Sequence, residues 1–282
     1  MTWQEYAFHR ATDANPFPAM MGRVCPAPCE DGCTRNRVEE FVGINAAEQF
    51  IGDTAFREGY RFPEVPVLSG KKVAIVGGGM VGAVAAVALS QAGFDVALVE
   101  AKAPPAFDAG AEFDLRQSAI APGPRRLLDN LGLWQTIAAE RICAFTGMKV
   151  WDAGHHAELF LENTAVGLPE LGHIVENGLV VATAWQALDQ VDVFCPALLA
   201  DLTVEPDCAR LTLDDDSELT ARLVVGAEGA NSAVRDAAGI KTTGWSYHQR
   251  CTVGAVTPER HHRHIAWQRF TETGPVAFLP LA

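Results

Sequence analysis

The hydrophobic pattern divides the chain into an irregular first part and a regular remainder. In the first part, rich in Pro, Cys and charge, Ile44 to Glu58 carries apolar residues such as Ala47, Phe50 and Ile51 at helical spacing. The Pro-rich stretch 62–66 follows this predicted helix and indicates a linker. We therefore predict a partly helical N-terminal segment that ends in a linker.

The regular part opens with a strand, a helix and a second strand. A short apolar run over 71–76 ends in three glycines, 77–79, and small residues from Val81 to Ala92 then predict a helix that Gly93 ends. The apolar run 95–100 is typical of a second buried strand. This order predicts the opening of a parallel α/β sheet.

Shorter periodic segments continue to the end of the chain. We predict helices over 125–133 and 134–140. The predicted strands are 202–204, 210–213, 223–225, 251–256, 264–270 and 276–279. The last of these stands directly before the end of the chain at Ala282, which leads us to expect that more sheet should follow.

Composition narrows the classes of partner and compartment. The 282 residues carry a formal net charge of −13, which disfavours a nucleic-acid partner because phosphate binding needs clustered Lys and Arg. No apolar run approaches the roughly 20 residues of a membrane helix, and no secretory signal opens the chain. The seven cysteines are odd in number and unevenly spread, which favours a reducing compartment. We expect a soluble, cytoplasmic protein.

The glycine motif after the first strand has the chemistry of a phosphate cradle. Gly77 permits a tight turn, Gly79 lets the backbone approach a pyrophosphate, and Gly82 lets helix and strand pack closely. The free N–H groups of the helix terminus attract the anion, and Glu100 can accept hydrogen bonds from a ribose. The predicted binding residues here are Gly77, Gly79, Met80, Val81, Gly82 and Glu100. The motif suits NAD and FAD equally, and a glycine turn without a ligand is the alternative.

Several blocks of the chain resemble the motifs of one family and occur in the same order as in that family. These blocks are 73–100, 113–120, 173–177, 223–235, 264–270 and 274–280. They resemble the flavin monooxygenases related to para-hydroxybenzoate hydroxylase, and among these the FAD-dependent aromatic hydroxylases of ubiquinone biosynthesis. The resemblance covers residues 71–282. It implies FAD as the cofactor, NAD(P)H as co-substrate and O₂ as the source of the oxygen placed on an aromatic ring, with no catalytic residue assigned.

The resemblance also implies further flavin-site residues. Arg116 would contact the ribityl–pyrophosphate region of FAD, and Gly226, Glu228 and Gly229 belong to a second flavin motif. The family usually has Asp where this chain has Glu228, so we expect the longer side chain to displace the loop beside the pyrophosphate. The Asn-Arg pair usual after the helix-opening Glu is Asn-Gly over 177–178.

The residues of the second motif also predict a local structure without reference to the family. Val224 and Val225 form a predicted buried strand, the motif glycines allow a close backbone approach, and Ser232 can cap a helix through Arg235. The alternative is an ordinary strand–turn–helix connection without a ligand.

A cysteine group near the N-terminus suggests iron–sulfur or zinc chemistry. Cys25, Cys29 and Cys33 have a spacing that suits either ligand set. Residues 15–59 resemble part of the iron–sulfur domain of glutamate synthase small subunits, in which two 4Fe–4S clusters use two cysteine groups, and Glu48 would match a non-Cys ligand. Because the upstream group is absent and three thiolates cannot serve two clusters, we expect no intact 4Fe–4S cluster.

The other cysteines and the histidine tract give no metal prediction. Cys143, Cys195, Cys208 and Cys251 show no ligand spacing, so we interpret them as small hydrophobic residues. The histidines 261, 262 and 264 follow a proline and precede a predicted strand, so we interpret them as an exposed turn.

The fold class we expect is α/β: a Rossmann-like FAD-binding domain with an interleaved, incomplete β-sheet substrate domain. Residues 1–70 form the N-terminal segment. Residues 71–145 and 173–240 form the FAD-binding domain. Residues 146–172 and 241–282 form the partial substrate-domain sheet.

The expected function is hydroxylation of a small aromatic or prenylated quinol-type substrate, a ubiquinone precursor. Peripheral membrane association and a multiprotein ubiquinone-synthesis complex remain open. Each segment resembles an incomplete part of a flavoprotein family, so we expect a fusion or a fragment that binds flavin weakly and releases hydrogen peroxide instead of product. The alternatives are an iron–sulfur-linked NADPH-dependent flavin oxidoreductase module and a flavin-binding fragment without turnover.

Overall fold

The computed structural model describes residues 2–12, 18–19, 43–60 and 71–282, which fall into two compact units, 1–66 and 67–282. The smaller unit contains α1 (Trp3–Thr12) and α2 (Ile44–Glu58). The helix predicted over α2 is confirmed. Phe50 is 60% exposed, and the buried residues of α2 are Gly52, Thr54 and Ala55.

The larger unit is built from strands and helices that alternate in its first part. In chain order its elements are β1 (Lys72–Val76), α3 (Met80–Gln91), β2 (Asp95–Val99), β3 (Gln117–Ile120), α4 (Pro122–Asn130), α5 (Trp134–Ala138), β4 (Cys143–Phe145), β5 (Gly147–Asp152), β6 (Glu158–Glu162), a 3₁₀ helix (Asn163–Val166), β7 (Gly172–Glu176), α6 (Asn177–Gln186), β8 (Asp192–Phe194), β9 (Leu199–Val204), β10 (Ala209–Leu213), β11 (Glu218–Ala221), β12 (Leu223–Gly226), α7 (Ala233–Ala237), β13 (Ile265–Thr271) and β14 (Gly274–Phe278).

A parallel sheet with the order β12-β1-β2-β8 organises this unit. Its central strands are apolar because both faces are covered: Ile75 and Leu98 are fully buried among residues of α3 such as Ala86 and Val87. The predicted strand–helix–strand opening is therefore confirmed, with element ends shifted by one residue. The chain leaves β1 toward β2 on one side and returns as β12 on the other, so the sheet has a topological switch point beside β1.

The larger unit contains three further sheets, two of three strands and one of four. Strands β11-β10-β9 form an antiparallel meander, and β3-β7-β4 form a second antiparallel sheet. The third has the order β14-β13-β5-β6 and joins residues 147–162 to residues 265–278. This mixed α/β architecture agrees with the predicted fold class.

One predicted strand is wrong. Residues 251–256 form no strand, and Val253 and Val256 are 61% and 67% exposed. An apolar alternation becomes a strand only when another strand pairs with it, and this segment has no paired neighbour among the described residues. Within the same described residues, no helix combines the length and apolar character needed to cross a bilayer.

Candidate functional site

The first and third glycines of the motif hold the turn after β1 against neighbouring backbone. Gly77 has φ +103°, and a Cβ there would lie 2.5 Å from the Ala227 carbonyl carbon. A Cβ on Gly82 would overlap the Gly77 carbonyl oxygen. Both positions therefore require glycine for packing, and the packing role predicted for Gly82 is confirmed.

Gly79, the second motif glycine, faces open space. A Cβ at this position would meet nothing within 4 Å. Gly79 is the N-cap of α3, and no side chain caps this helix. The first turn, which contains Met80 and Val81, therefore has amide groups that no side chain of the described residues caps.

Glu100 follows β2 and holds the glycine turn directly. Its Oε2 accepts a hydrogen bond from the Gly78 N–H at 2.5 Å, and its Oε1 accepts one from the Lys102 N–H at 3.1 Å. Each carboxylate oxygen has a further lone pair, so the group can accept more hydrogen bonds. Glu100, which is predicted to contact a ribose, therefore also fixes the backbone of the glycine turn.

Trp185 on α6 is a contact that the sequence reading missed. Its indole Nε1–H donates to the Gly78 carbonyl oxygen at 2.7 Å, and a Cβ on Gly78 would lie 2.7 Å from Trp185 Cζ2. A side chain on Gly78 would therefore collide with Trp185, whereas one on Gly79 would not. The only signal in the sequence was the extra glycine between Gly77 and Gly79, for which the motif has no use.

The Glu228 carboxylate turns toward the start of α7. Its Oε2 accepts from the Ser232 hydroxyl at 2.7 Å, and its Oε1 accepts from the Val234 N–H at 3.0 Å. The Ser232 Oγ in turn accepts from the Arg235 N–H at 3.1 Å, so the predicted helix cap is confirmed. Gly226 is packed beneath this network, since its Cβ would lie 3.0 Å from Glu228 Oε2.

One cavity of about 400 Å³ lies at the carboxyl ends of β1, β2 and β12. It brings together four of the predicted residues, Gly77, Gly79, Glu100 and Glu228. The other predicted residues do not line it; they are Met80, Val81, Gly82, Arg116, Gly226 and Gly229. A crevice outside the carboxyl ends of parallel strands, at a switch point, is where α/β folds bind dinucleotides.

Arg116 lies apart from this cavity, just before β3. Its backbone N–H donates to Asp114 Oδ1 at 2.9 Å, and its carbonyl oxygen accepts from the Asn177 N–H at 3.0 Å. The residue is exposed. Gly229 has φ +87°, a left-handed conformation that favours glycine at this turn.

Arg141 and Glu176 form a buried ion pair that no sequence motif indicated. The side chains are 18% and 2% exposed, and Arg141 Nε and Nη2 donate to the two Glu176 carboxylate oxygens at 2.8 and 3.2 Å. Hydrogen bonding to Glu176 raises the pKa of Arg141. The same guanidinium donates to three carbonyl oxygens of the preceding loop, those of Ala109, Ala111 and Glu112.

The predicted N-terminal metal residues Cys25, Cys29 and Cys33 lie outside the described residues. Glu48 lies on α2 and is half-buried. Of the remaining cysteines, Cys143 is buried as expected for a small hydrophobic residue, whereas Cys251 is exposed.

Comparison with protein families gives two matches. The FAD binding domain family matches residues 71–281. The dihydropyrimidine dehydrogenase domain II, 4Fe-4S cluster family matches residues 3–60.

Named relatives match the same larger segment. The chain is 38% identical over 213 residues to the 3-demethoxyubiquinol 3-hydroxylase of Escherichia coli (strain K12), which covers 74% of this chain and 54% of the relative. It is 34% identical over 234 residues to the human ubiquinone biosynthesis monooxygenase COQ6, mitochondrial, covering 74% of this chain and 48% of the relative. The chain thus spans about half the length of these relatives.

Solved structures agree on the fold. A mutant of P. aeruginosa PqsL superposes with a TM-score of 0.58 at 20% identity, covering 74% of this chain and 57% of that one. The tetrameric form of 2-methyl-3-hydroxypyridine-5-carboxylic acid oxygenase gives 0.55 at 20% identity, covering 76% and 56%. The glycine motif alone suited NAD and FAD equally, and the family match over 71–281 decides for FAD. By that match, and by a glycine turn shaped for a dinucleotide, this chain belongs to the FAD binding domain family.

Proposed function

We propose that this chain acts as an FAD-dependent monooxygenase that hydroxylates an aromatic ring, using NAD(P)H and O₂. One observation carries the proposal: Gly77, Gly79 and Glu100 border a single cavity at the carboxyl ends of the parallel strands. The 38% identity to a hydroxylase of demethoxyubiquinol supports the choice of reaction.

The open space over Gly79 supports a pyrophosphate site at the glycine turn. The pyrophosphate would lie over Gly79, where a side chain would fill otherwise open space, and would accept hydrogen bonds from the amides of Met80 and Val81 at the start of α3. Glu100 would accept hydrogen bonds from the adenosine ribose while it keeps the Gly78 amide in place.

The remaining site residues would act at the middle of the cofactor, around the pyrophosphate. Arg116 would reach the ribityl–pyrophosphate region, and Gly226, Glu228 and Gly229 would border the pyrophosphate from the second motif. The Glu228 oxygens accept from the Ser232 hydroxyl and the Val234 N–H at the start of α7. Glu228 would therefore hold the loop between β12 and α7 in position beside the cavity. When bound, FAD supplies the transfer of electrons from NAD(P)H to O₂.

The strand pairing supports the proposed division of the larger unit. In this division residues 71–145 and 173–240 bind FAD, and residues 146–172 and 241–282 belong to the substrate domain. The β14-β13-β5-β6 sheet draws all its strands from the second group. The proposed separate segment is residues 1–70, and the compact unit 1–66 supports it.

The proposed substrate is a prenylated quinol-type ubiquinone precursor. One named relative is a 3-demethoxyubiquinol 3-hydroxylase and the other is a ubiquinone biosynthesis monooxygenase, which supports this substrate class. We also propose a place in a multiprotein ubiquinone-synthesis complex. The proposed compartment is the cytoplasm, which the odd, unevenly spread cysteines support.

Flavin retention by two matched glycine variants tests the proposed site. Gly79→Val puts a branched side chain into the pyrophosphate position, whereas Gly254→Val adds the same atoms at another open glycine on an exposed segment. We expect Gly79→Val to lose most of its bound FAD and Gly254→Val to keep it. Equal flavin content in the two variants would mean that the site lies elsewhere.

The reaction itself is tested by oxygen incorporation. The purified chain, loaded with FAD, is given NAD(P)H, a prenylated phenol and labelled O₂. Labelled phenolic product would support hydroxylation and would contradict the expectation that a fragment releases only hydrogen peroxide. NAD(P)H oxidation that yields only hydrogen peroxide would contradict hydroxylation by this chain.

A second candidate function is an iron–sulfur-linked NADPH-dependent flavin oxidoreductase module. The match of residues 3–60 to an iron–sulfur family favours it. The ligand count still predicts no intact 4Fe–4S cluster, because only Cys25, Cys29 and Cys33 are grouped. Anaerobic reconstitution decides: about four irons per chain, the content of one 4Fe–4S cluster, that disappear in Cys25→Ala would favour the reductase.

A further inference from the structure

A cysteine and two histidines from distant parts of the larger unit converge at one point. Cys143 on β4 and the residues His262 and His264 before β13 each offer a ligand atom, and these atoms lie within 4.8 Å of one another. His264 Nδ1 lies 3.6 Å from Cys143 Sγ and 2.9 Å from the Ala144 carbonyl oxygen. The sequence alone predicts a small hydrophobic cysteine and an exposed histidine turn here.

The ligand chemistry of this cluster is selective. One thiolate with two imidazoles is a donor set that zinc and related borderline cations prefer, and hard cations such as Mg²⁺ and Ca²⁺ prefer oxygen. Burial raises the pKa of the Cys143 thiol, which favours the form that carries the thiol proton. A zinc-class cation displaces the thiol proton when it binds.

The backbone around the histidines is held in an uncommon conformation that keeps the rings together. Arg263 and His264 have φ values of +57° and +58°, which non-glycine residues rarely adopt. The His262 Nδ1 accepts a hydrogen bond from the His264 N–H at 3.0 Å, so the turn closes on its own ring. Two rings of one short turn are thereby presented toward a buried sulfur on another strand.

The cluster also lies where two sheets meet. Cys143 belongs to the β3-β7-β4 sheet, and His264 immediately precedes β13 of the β14-β13-β5-β6 sheet. The Thr146 N–H donates to the His264 carbonyl oxygen at 2.8 Å, so the two segments are already joined through backbone. A cation here would cross-link the two sheets through side chains.

We propose that Cys143, His262 and His264 form a binding site for a zinc-class divalent cation, with a water molecule as the fourth ligand. Three protein ligands and one water complete the tetrahedral coordination that zinc adopts. The site is separate from the flavin cavity, none of whose lining residues it shares.

Cobalt substitution gives a direct spectroscopic test. The full chain is purified without a histidine tag, with Cys25, Cys29 and Cys33 replaced by Ser so that the N-terminal thiols cannot bind the ion. Co²⁺ is added, and the spectrum of the zinc-loaded protein is subtracted to remove the flavin bands. We expect one Co²⁺ per chain and a near-ultraviolet thiolate-to-cobalt charge-transfer band that Cys143→Ser abolishes.

Zinc affinity, measured by competition with a chromophoric chelator, tests the histidines. His262→Gln and His264→Gln should each weaken binding by about tenfold or more, because each removes one of the three protein ligands. His261→Gln is the matched control, since its ring lies 4.2 Å from the His262 ring but outside the three-residue cluster. Cys251→Ser is the control for an exposed thiol.

Two results would overturn the site. One is the absence of a charge-transfer band in the protein with intact Cys143. The other is an equal zinc affinity of the His264→Gln and His261→Gln proteins. His264 is exposed, so its replacement tests the site even if Cys143→Ser does not fold.

Discussion

Arg141 fastens the loop before β3 to the buried Glu176 at the end of β7. The two-point contact of 2.8 and 3.2 Å is joined by a hydrogen bond of 2.6 Å from the Asp114 N–H to Glu176 Oε2. The guanidinium lies 4.4 Å from the Phe113 ring centre, so it also stacks on the loop it holds. The Arg141–Glu176 pair therefore orders the loop that leads to Arg116, and no local sequence pattern predicts this pair.

Arg141→Lys should loosen this loop. Lysine cannot reproduce the forked contact with Glu176 together with the three carbonyl contacts, and it leaves a buried carboxylate poorly paired. We expect Tm to fall by several degrees and amide hydrogen exchange over 107–116 to accelerate. Arg125→Lys, at the more exposed pair with Glu170, is the control and should change Tm little. Equal changes in Tm and hydrogen exchange in the two variants would contradict the proposal that Arg141 orders this loop.

Gly82→Ala should destabilise the fold, whereas Gly123→Ala should not. A methyl on Gly82 would overlap the Gly77 carbonyl oxygen, while one on Gly123 meets nothing within 4 Å. Overpacking of this kind costs about 1–3 kcal/mol, and an alanine in the first turn of α4 is neutral or slightly favourable. Urea unfolding measures both. If Gly82→Ala unfolds at the same urea concentration as the parent, the close packing of α3 on the turn is wrong.

Glu100→Gln should weaken FAD binding by about tenfold, equivalent to about 1.4 kcal/mol. The amide keeps one acceptor oxygen but replaces the other with a donor, which faces either the Lys102 amide or the ribose. FAD titration followed by flavin fluorescence gives the affinity. Asp95→Asn, at the opposite end of β2, is the matched control and should bind FAD as the parent does. A flavin affinity unchanged in Glu100→Gln would remove Glu100 from the proposed site.

His173 should make stability depend on pH in the weakly acidic range. Burial lowers the pKa of His173, nearby Glu170 raises it and nearby Arg125 lowers it, with a net decrease. Its Nδ1 is buried and has no hydrogen-bond partner among the residues that the structure describes. Because the unfolded chain takes up the proton more readily, stability is full above about pH 6.5, the unfolded pKa, and is lost as pH falls through the folded pKa.

His173→Phe tests this pH dependence. Phenylalanine keeps an edge contact with Trp134, whose ring centre lies 5.0 Å from that of His173, and removes the unpartnered nitrogen. We expect the variant to lose less stability than the parent between neutral and mildly acidic pH in urea unfolding. His262 is present in both proteins, so its lowered pKa cancels in the comparison. Parallel pH profiles would contradict the prediction.

Local patterns predicted the parts of the fold that depend on neighbours in sequence. The strand, glycine turn and helix from Lys72 to Gln91 follow from apolar runs and glycine positions, and the cap by Ser232 follows from its spacing to Arg235. The strand predicted over 251–256 failed because periodicity does not supply a pairing partner.

The missed parts of the site depend on contacts between distant segments. Trp185 reaches Gly78 across 107 positions, and Cys143 reaches His264 across 121. Hydrophobic periodicity reports which face of an element is buried, but it does not report which distant side chain lies opposite. The flavin family was accessible from sequence because its motifs are local and occur in a fixed order.

The pairing of β1 with β12 has a consequence for synthesis on the ribosome. Val73 pairs with Leu223, and Gly77 packs against the turn at Ala227, so the nucleotide turn is completed by a segment made long after it. Until that segment emerges, the nascent chain presents β1 as an uncovered edge, which is prone to pair with other chains. The order of translation therefore places the whole β3–β11 region between the two halves of the cradle, and a chaperone that shields β1 during that interval would raise the yield of folded protein.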